Sequence, residues 1–117
     1  MARNDYVVDR LGEISFEIDI TDSTTVSDAV DLIGVVPVAL LTPAALTSSS
    51  ITLQGSIDNT TYYPIYNASG TQVTIQIGTT RHIGLLPQDF AGFRYFKIVA
   101  AGAEAADRTF KLVVRGM

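Results

Sequence analysis

The chain has 117 residues, of which 47% are hydrophobic and 17% charged, with a net charge of −4 and no cysteine. This excludes disulfides and thiolate chemistry, and it excludes phosphate-driven binding of nucleic acid, which needs clustered Lys and Arg. One domain of this size hides roughly two-thirds of its unfolded surface and folds without staples, and so sparse a surface charge hints at contact with other subunits.

Met1 to Gly12 mixes charges with Tyr6, Val7, Val8 and Leu11 without a period. It reads either as an arm that orders by packing on something else, such as a neighbouring subunit, or as a frayed terminus. The first fifteen residues carry charges throughout and no apolar core, which is not the pattern of a secretory signal. The longest apolar run, Leu32 to Leu46, is broken by Gly34, Pro37, Thr42 and Pro43. A bilayer span needs about 20 residues, so a buried strand and its loop are expected there, and no membrane partner.

From Glu13 to Thr21 the alternation is clean, with Ile14, Phe16, Ile18 and Ile20 on one face, the mark of a half-buried strand. Asp22-Ser23-Thr24 supplies turn chemistry. Thr25 to Leu32 reads as a short edge strand whose Asp28 and Asp31 discourage edge-to-edge pairing; a short helix from Ser27 is the alternative. Gly34 to Leu41 is apolar on both sides, which suits a strand covered on both faces or one at a subunit interface. Pro37 cannot donate to a ladder and needs an edge or a bulge.

Ile51 to Ile57 alternates again, with Ile51, Leu53, Gly55 and Ile57 facing in. Asp58-Asn59 suits a tight hairpin, since Asn tolerates positive φ. In the return strand Thr61 to Tyr66, either Tyr63 and Ile65 face the core, or a bulge at Pro64 places Tyr62 and Ile65 there. Asn67 to Gly70 is the next turn, and Thr71 to Ile77 a strand with Val73, Ile75 and Ile77 inward. Arg81 to Leu85 turns Ile83 and Leu85 inward, and Pro87 to Phe90 is a single helical turn. Phe93 to Ala100 places Phe96 and Ile98 inside, and Asp107 to Arg115 does the same with Phe110, Leu112 and Val114. Eight or nine short strands with at most one short helical turn predict an all-β antiparallel sandwich or barrel, with residues 1–12 as an arm and 13–117 as one domain.

No catalytic or metal constellation stands out, and the chain is expected to be no enzyme and to carry no cofactor or metal. His82, the one histidine, falls out of phase with Ile83 and reads as an outward structural residue. Asp58, Asp89 and Glu104 lie in loops where two carboxylates could meet, while Asp22, Asp28 and Asp31 match no calcium loop and read as solvated turn acids. Asn59-Thr60-Thr61 and Asn67-Ala68-Ser69 match the glycosylation pattern but are better explained as turns. The tyrosines are the sharpest feature. Among Tyr62, Tyr63, Tyr66 and Tyr95, outward rings stack on sugar rings or anchor a protein interface, cross-strand packing being the alternative; Tyr62, Tyr66 and Tyr95 are the candidate exposed aromatics.

Two resemblances rest on these residues. Gly55-Ser56-Ile57-Asp58-Asn59-Thr60-Thr61-Tyr62, followed by Pro64-Ile65-Tyr66 and later by Phe93-Arg94-Tyr95-Phe96-Lys97-Ile98, resembles discoidin-like, galactose-binding-type jelly rolls. Asn59 stands where those have glycine, and Tyr62 where they have tryptophan. The span from Val26-Ser27-Asp28-Ala29-Val30-Asp31-Leu32 to Asp107-Arg108-Thr109-Phe110 is similar to small structural proteins of tailed bacteriophages. Gly70-Thr71-Gln72-Val73-Thr74-Ile75 and Leu85-Leu86-Pro87-Gln88-Asp89-Phe90-Ala91-Gly92 share that likeness.

The resemblance implies a jelly-roll capsid decoration, or cement, protein. It would be made in the host bacterial cytoplasm, bind the major capsid protein on the virion surface, and assemble as a homotrimer. Arg3, Tyr6 and Arg10 are then candidate capsid contacts, and Val36, Val38 and Leu40 candidate subunit-interface residues. The alternative is a carbohydrate-binding module of a phage tail or capsid fibre, with a glycan as partner.

Overall fold

Period-two alternation leaves each strand with one face to hide, and two sheets laid face to face hide them together. In the computed structural model, the chain is described at residues 2–3, 6–8 and 14–116, with side chains from 15 to 116. The strands are β1 (Ala2–Arg3), β2 (Tyr6–Val8), β3 (Ile14–Ile20), β4 (Ala29–Asp31), β5 (Val35–Leu41) and β6 (Ser50–Ser56). They continue with β7 (Tyr63–Pro64), β8 (Thr74–Gln76), β9 (His82–Gly84), β10 (Tyr95–Ala100) and β11 (Arg108–Gly116). Among the described residues a single 3-10 turn, Pro87–Asp89, interrupts the β structure.

One sheet runs β1-β4-β10-β6-β7, with β8 also paired to β6, and the other runs β2-β3-β11-β5-β9. Setting aside the short β1, β2 and β7, eight strands remain. They lie first–eighth–third–sixth in one sheet and second–seventh–fourth–fifth in the other, the order of a jelly roll. All pairings are antiparallel except β1 on β4. The protein is thus an all-β sandwich. The strands expected between Glu13 and Arg115 correspond one to one to β3–β11, and β1 and β2 come in addition. These two extend the sheets of their own chain, beside β4 and β3.

The core between the sheets is built from the expected inward faces: Phe16, Ile18 and Ile20 of β3, Ile51 and Leu53 of β6, Phe96 and Ile98 of β10, and Phe110, Leu112 and Val114 of β11. A fully buried side chain of this kind contributes about 1.5–3 kcal/mol. Phe90, just beyond the 3-10 turn, meets Phe96 edge-on at 5.5 Å between ring centroids.

Four expectations are corrected. Ile57 does not face in; it is 81% exposed. β6 stops at Ser56, whose buried hydroxyl accepts the Asp58 and Asn59 N–H groups and bends the chain before Ile57 can continue the alternation. Thr25 to Leu32 is neither a short helix nor an edge strand: β4 is three residues long and lies between β1 and β10. Asp31 is not a solvated turn acid; it is 7% exposed and takes Arg94 through two bonds of 2.9 Å. Leu40 is 1% exposed within the core, so a subunit interface cannot use it. Val36 is half-buried and packs against the core, and Val38 is half-buried.

Val38 also marks the bulge that Pro37 calls for. Val113 stands opposite Ala39 and Val114 opposite Pro37, so Val38 has no opposite number on β11. Its carbonyl accepts the Leu85 N–H at 3.0 Å instead.

Candidate functional site

The hairpin after β6 is built from its own side chains. Ser56 Oγ donates to Asp58 Oδ1 at 2.9 Å, and the same oxygen accepts the Thr60 and Thr61 N–H groups. Asn59 holds φ at 60°, the left-handed region that Asn tolerates. These donors, the Thr61 N–H foremost, hold the Asp58 carboxyl below the usual carboxylate range, so it stands as an anion at the turn.

The chain leaves this turn through Tyr62 and Tyr63, and adjacent strand residues point to opposite faces. Tyr62 goes to the outer face of the six-stranded sheet, half-buried, with Lys97 Nζ 4.3 Å from its ring centroid and its hydroxyl donating to Asn59 Oδ1. Burial, with Tyr95 and Asp58 nearby, pushes the Tyr62 hydroxyl upward. Tyr95 joins it on that face beneath the Arg94 guanidinium, 5.0 Å from its ring. Tyr63 goes the other way and is 68% exposed. Neither expected phase of the return strand holds in full: Ile65 packs on the core, as both phases require, but Tyr63 is exposed and Tyr62 lies outside the sandwich.

Tyr63 stands opposite Gly55 in the ladder, above a groove. The floor exists because Gly55 has no side chain: a Cβ there would lie 2.8 Å from Phe93 Cγ. The Phe93 ring fills that space and stacks towards Phe96 at 6.2 Å, joining groove wall to core. The first section, about 520 Å³, is bounded by Ile57, Asp58, Tyr63, Tyr66 and Phe93. Tyr66 and Phe93 also bound a second section of about 590 Å³, with Asn67, Leu86, Gln88 and Asp89. Leu86 and Asp89 lead to a third of about 350 Å³ between β8 and β9, lined by Ile75 and Ile83. Among the described residues lining the three sections there are carboxylates but no Lys, Arg or His. Ile57, Tyr63, Tyr66 and Leu86 are each more than half exposed around this one surface.

The carboxylates expected in loops divide. Asp58 and Asp89 border adjoining sections of the groove, whereas Glu104 lies elsewhere, 1% exposed. Glu104 accepts the Thr47 N–H at 2.8 Å, the Ser48 N–H at 2.9 Å and Arg108 Nε at 2.9 Å. Burial alone would raise its carboxyl; the donors outweigh burial and hold it at about 2. It is therefore a structural anion that ties the loop before β6 to the loop before β11.

Of the candidate aromatics, only Tyr66 borders the groove, while Tyr62 and Tyr95 share the outer face. Sequence reading missed Ile57, Leu86 and Phe93 as groove residues, and it singled out Tyr63 among the tyrosines without placing it at a groove. The one available signal was Gly55, an interior strand glycine, which often marks close approach by another group. His82 is exposed on β9. Asn67 Oδ1 accepts the Ser69 and Thr71 N–H groups, as a turn asparagine does. Arg3 lies in β1 and Tyr6 in β2, with their side chains outside the described residues, as is the whole of Arg10. Among the described residues, no group of three or more His, Cys, Asp or Glu could hold a metal ion. No protein-family model and no curated protein matches this chain.

Proposed function

We propose that the chain is a structural protein of a tailed-phage virion, a decoration protein that binds the outer capsid surface through the major capsid protein and stabilises the shell. The observation that carries this reading is the rim of Ile57, Tyr63, Tyr66 and Leu86, which gathers around one groove four of the five large apolar side chains that are more than half exposed among the described residues, Ile33 being the fifth. Aromatic side chains of this kind serve as interface anchors, and a contiguous apolar surface signals a partner. The rigid frame behind the rim also supports the reading: Glu104 and Asp31 are spent on internal ion pairs that lock loops and strands. Many copies on a symmetric shell would add weak contacts by avidity. Association into a trimer through β5, with Val36 and Val38, belongs to the same proposal.

Sedimentation with emptied, undecorated capsids tests it. The full chain is expected to co-sediment at a fixed stoichiometry, and Tyr63→Ala with Tyr66→Ala to weaken that association at least about tenfold, as loss of interface anchors does. Absence of wild-type protein from the capsid pellet would overturn the reading. Light scattering tests the trimer separately.

A second reading, a glycan-binding module, is favoured by Tyr63 and Tyr66 standing beside the polar Asp58 and Asn67. It predicts retention on glycan arrays that Tyr66→Ala abolishes, without capsid association.

A further inference from the structure

The two flanks of the sandwich differ. On one, β1 and β2 extend the sheets beside β4 and β3. On the other, the sheets as described end in β7 and β8 and in β9, and the third section of the groove lies between β8 and β9. Antiparallel pairing uses the main-chain groups of alternate residues. Arg81 accepts the Thr42 N–H and Leu85 donates to Val38, so the odd-numbered residues of this stretch face β5. The main-chain groups of His82 and Gly84 therefore point away from β5, at an edge where the sheet as described ends. By the same alternation Ile75 and Ile77 face β6, since Ile77 donates to Ser49, and Thr74 and Gln76 present their main-chain groups at the edge of β8. Between these edges, Val73, Ile75, Ile83 and Leu85 pack on the core while remaining only partly buried.

We propose that this flank is a docking groove for an extended polypeptide segment of a partner protein. The segment would add as a strand at β8 or β9, set aliphatic side chains over Ile75 and Ile83, and carry Lys or Arg towards Asp89 and Asp58. Two observations select this occupant. Unpaired strand edges recognise main chain, which a saccharide lacks. The charge of the lining is acidic only, which complements a cationic segment and repels an anionic one. Taking that partner to be a capsid subunit rests on the function proposed above; the groove chemistry itself does not.

Immobilised full-length chain, panned against a displayed library of random twelve-residue peptides, tests the inference. The selected peptides are expected to alternate aliphatic residues with Lys or Arg. Gly84→Pro removes an outward N–H at a position where an added Cβ meets nothing within 4 Å. It should weaken the selected peptides about tenfold, the loss expected for an edge hydrogen bond. Asp58→Asn with Asp89→Asn should weaken them severalfold at low salt and abolish most of the salt dependence, and it serves as the deciding variant if Gly84→Pro does not fold.

No selection, selection of acidic peptides, or undiminished peptide affinity in a folded Gly84→Pro would overturn the proposal. So would glycan retention in place of peptide binding. If wild-type and folded Gly84→Pro chains co-sediment equally with capsids and bind the selected peptides equally, the decoration reading stands and this one fails. Peptide selection with no wild-type capsid binding gives the reverse.

Discussion

The Phe93 ring lies against the backbone of Gly55, so close that a methyl group on Gly55 would sit 2.8 Å from Phe93 Cγ. One missing side chain thus connects the core to the groove, because the same ring stacks towards Phe96 and walls the groove below Tyr63. Gly55→Ala should force the ring outward. Overpacking of this kind costs about 1–3 kcal/mol, measurable by urea denaturation. Phe93→Leu in the same chain should recover part of the loss, and an unchanged denaturation midpoint in Gly55→Ala would refute the contact.

Glu104 makes stability depend on acid. Its folded carboxyl sits at about 2, while the unfolded chain returns it to the ordinary range of about 4.3. A depressed folded value means that the stabilisation is complete above about 4.3 and is lost as pH falls towards 2, with about 3 kcal/mol at stake. Glu104→Gln should lower stability at pH 7 by about 3 kcal/mol, because it leaves Arg108 without its anion, and should flatten the wild-type decline between pH 4.5 and 2. Denaturation midpoints of both chains across that range decide the matter; parallel curves would sink the assignment.

Tyr63 and Tyr66 should separate stability from binding. Both are more than half exposed, so truncation to Ala is expected to move the unfolding free energy by no more than about 0.5 kcal/mol. Capsid association, measured on the same preparations, should fall. A large loss of stability would assign these rings to packing.

Gly70 closes the turn after Asn67 at φ 83°, a conformation that side chains rarely adopt, although a Cβ there would meet open space. Gly70→Ala should therefore cost about 1 kcal/mol through backbone strain alone. Gly92→Ala, at ordinary φ and equally open, is the control and should be near neutral.

Much of the frame is local and therefore legible in the chain itself. The alternation of Phe16, Ile18 and Ile20, or of Phe110, Leu112 and Val114, states which face is hidden, because strand geometry repeats every two residues. Pro37 requires its bulge and Asn59 its positive φ for equally local reasons. Ile57 misled because a hydroxyl, Ser56 Oγ, outcompeted the alternation by capturing the next N–H groups.

What only the folded molecule decides is which distant stretches meet. Glu104 reaches Thr47 across 57 residues and Arg94 reaches Asp31 across 63, and no spacing rule in the chain links them. The groove is of the same kind, since Gly55, Phe93, Leu86 and Asp89 come together only through the strand order of the two sheets. The amino-acid sequence by itself determined the strands β3–β11, most of their inward faces and the turns. The tertiary structure decided the partners of the buried acids, the outward course of Tyr63 and the edges that β8 and β9 leave open among the described residues. The reason is physical: a residue's period and torsion preference act over a few neighbours, whereas a groove or a buried ion pair is a meeting between segments that loop closure has brought together.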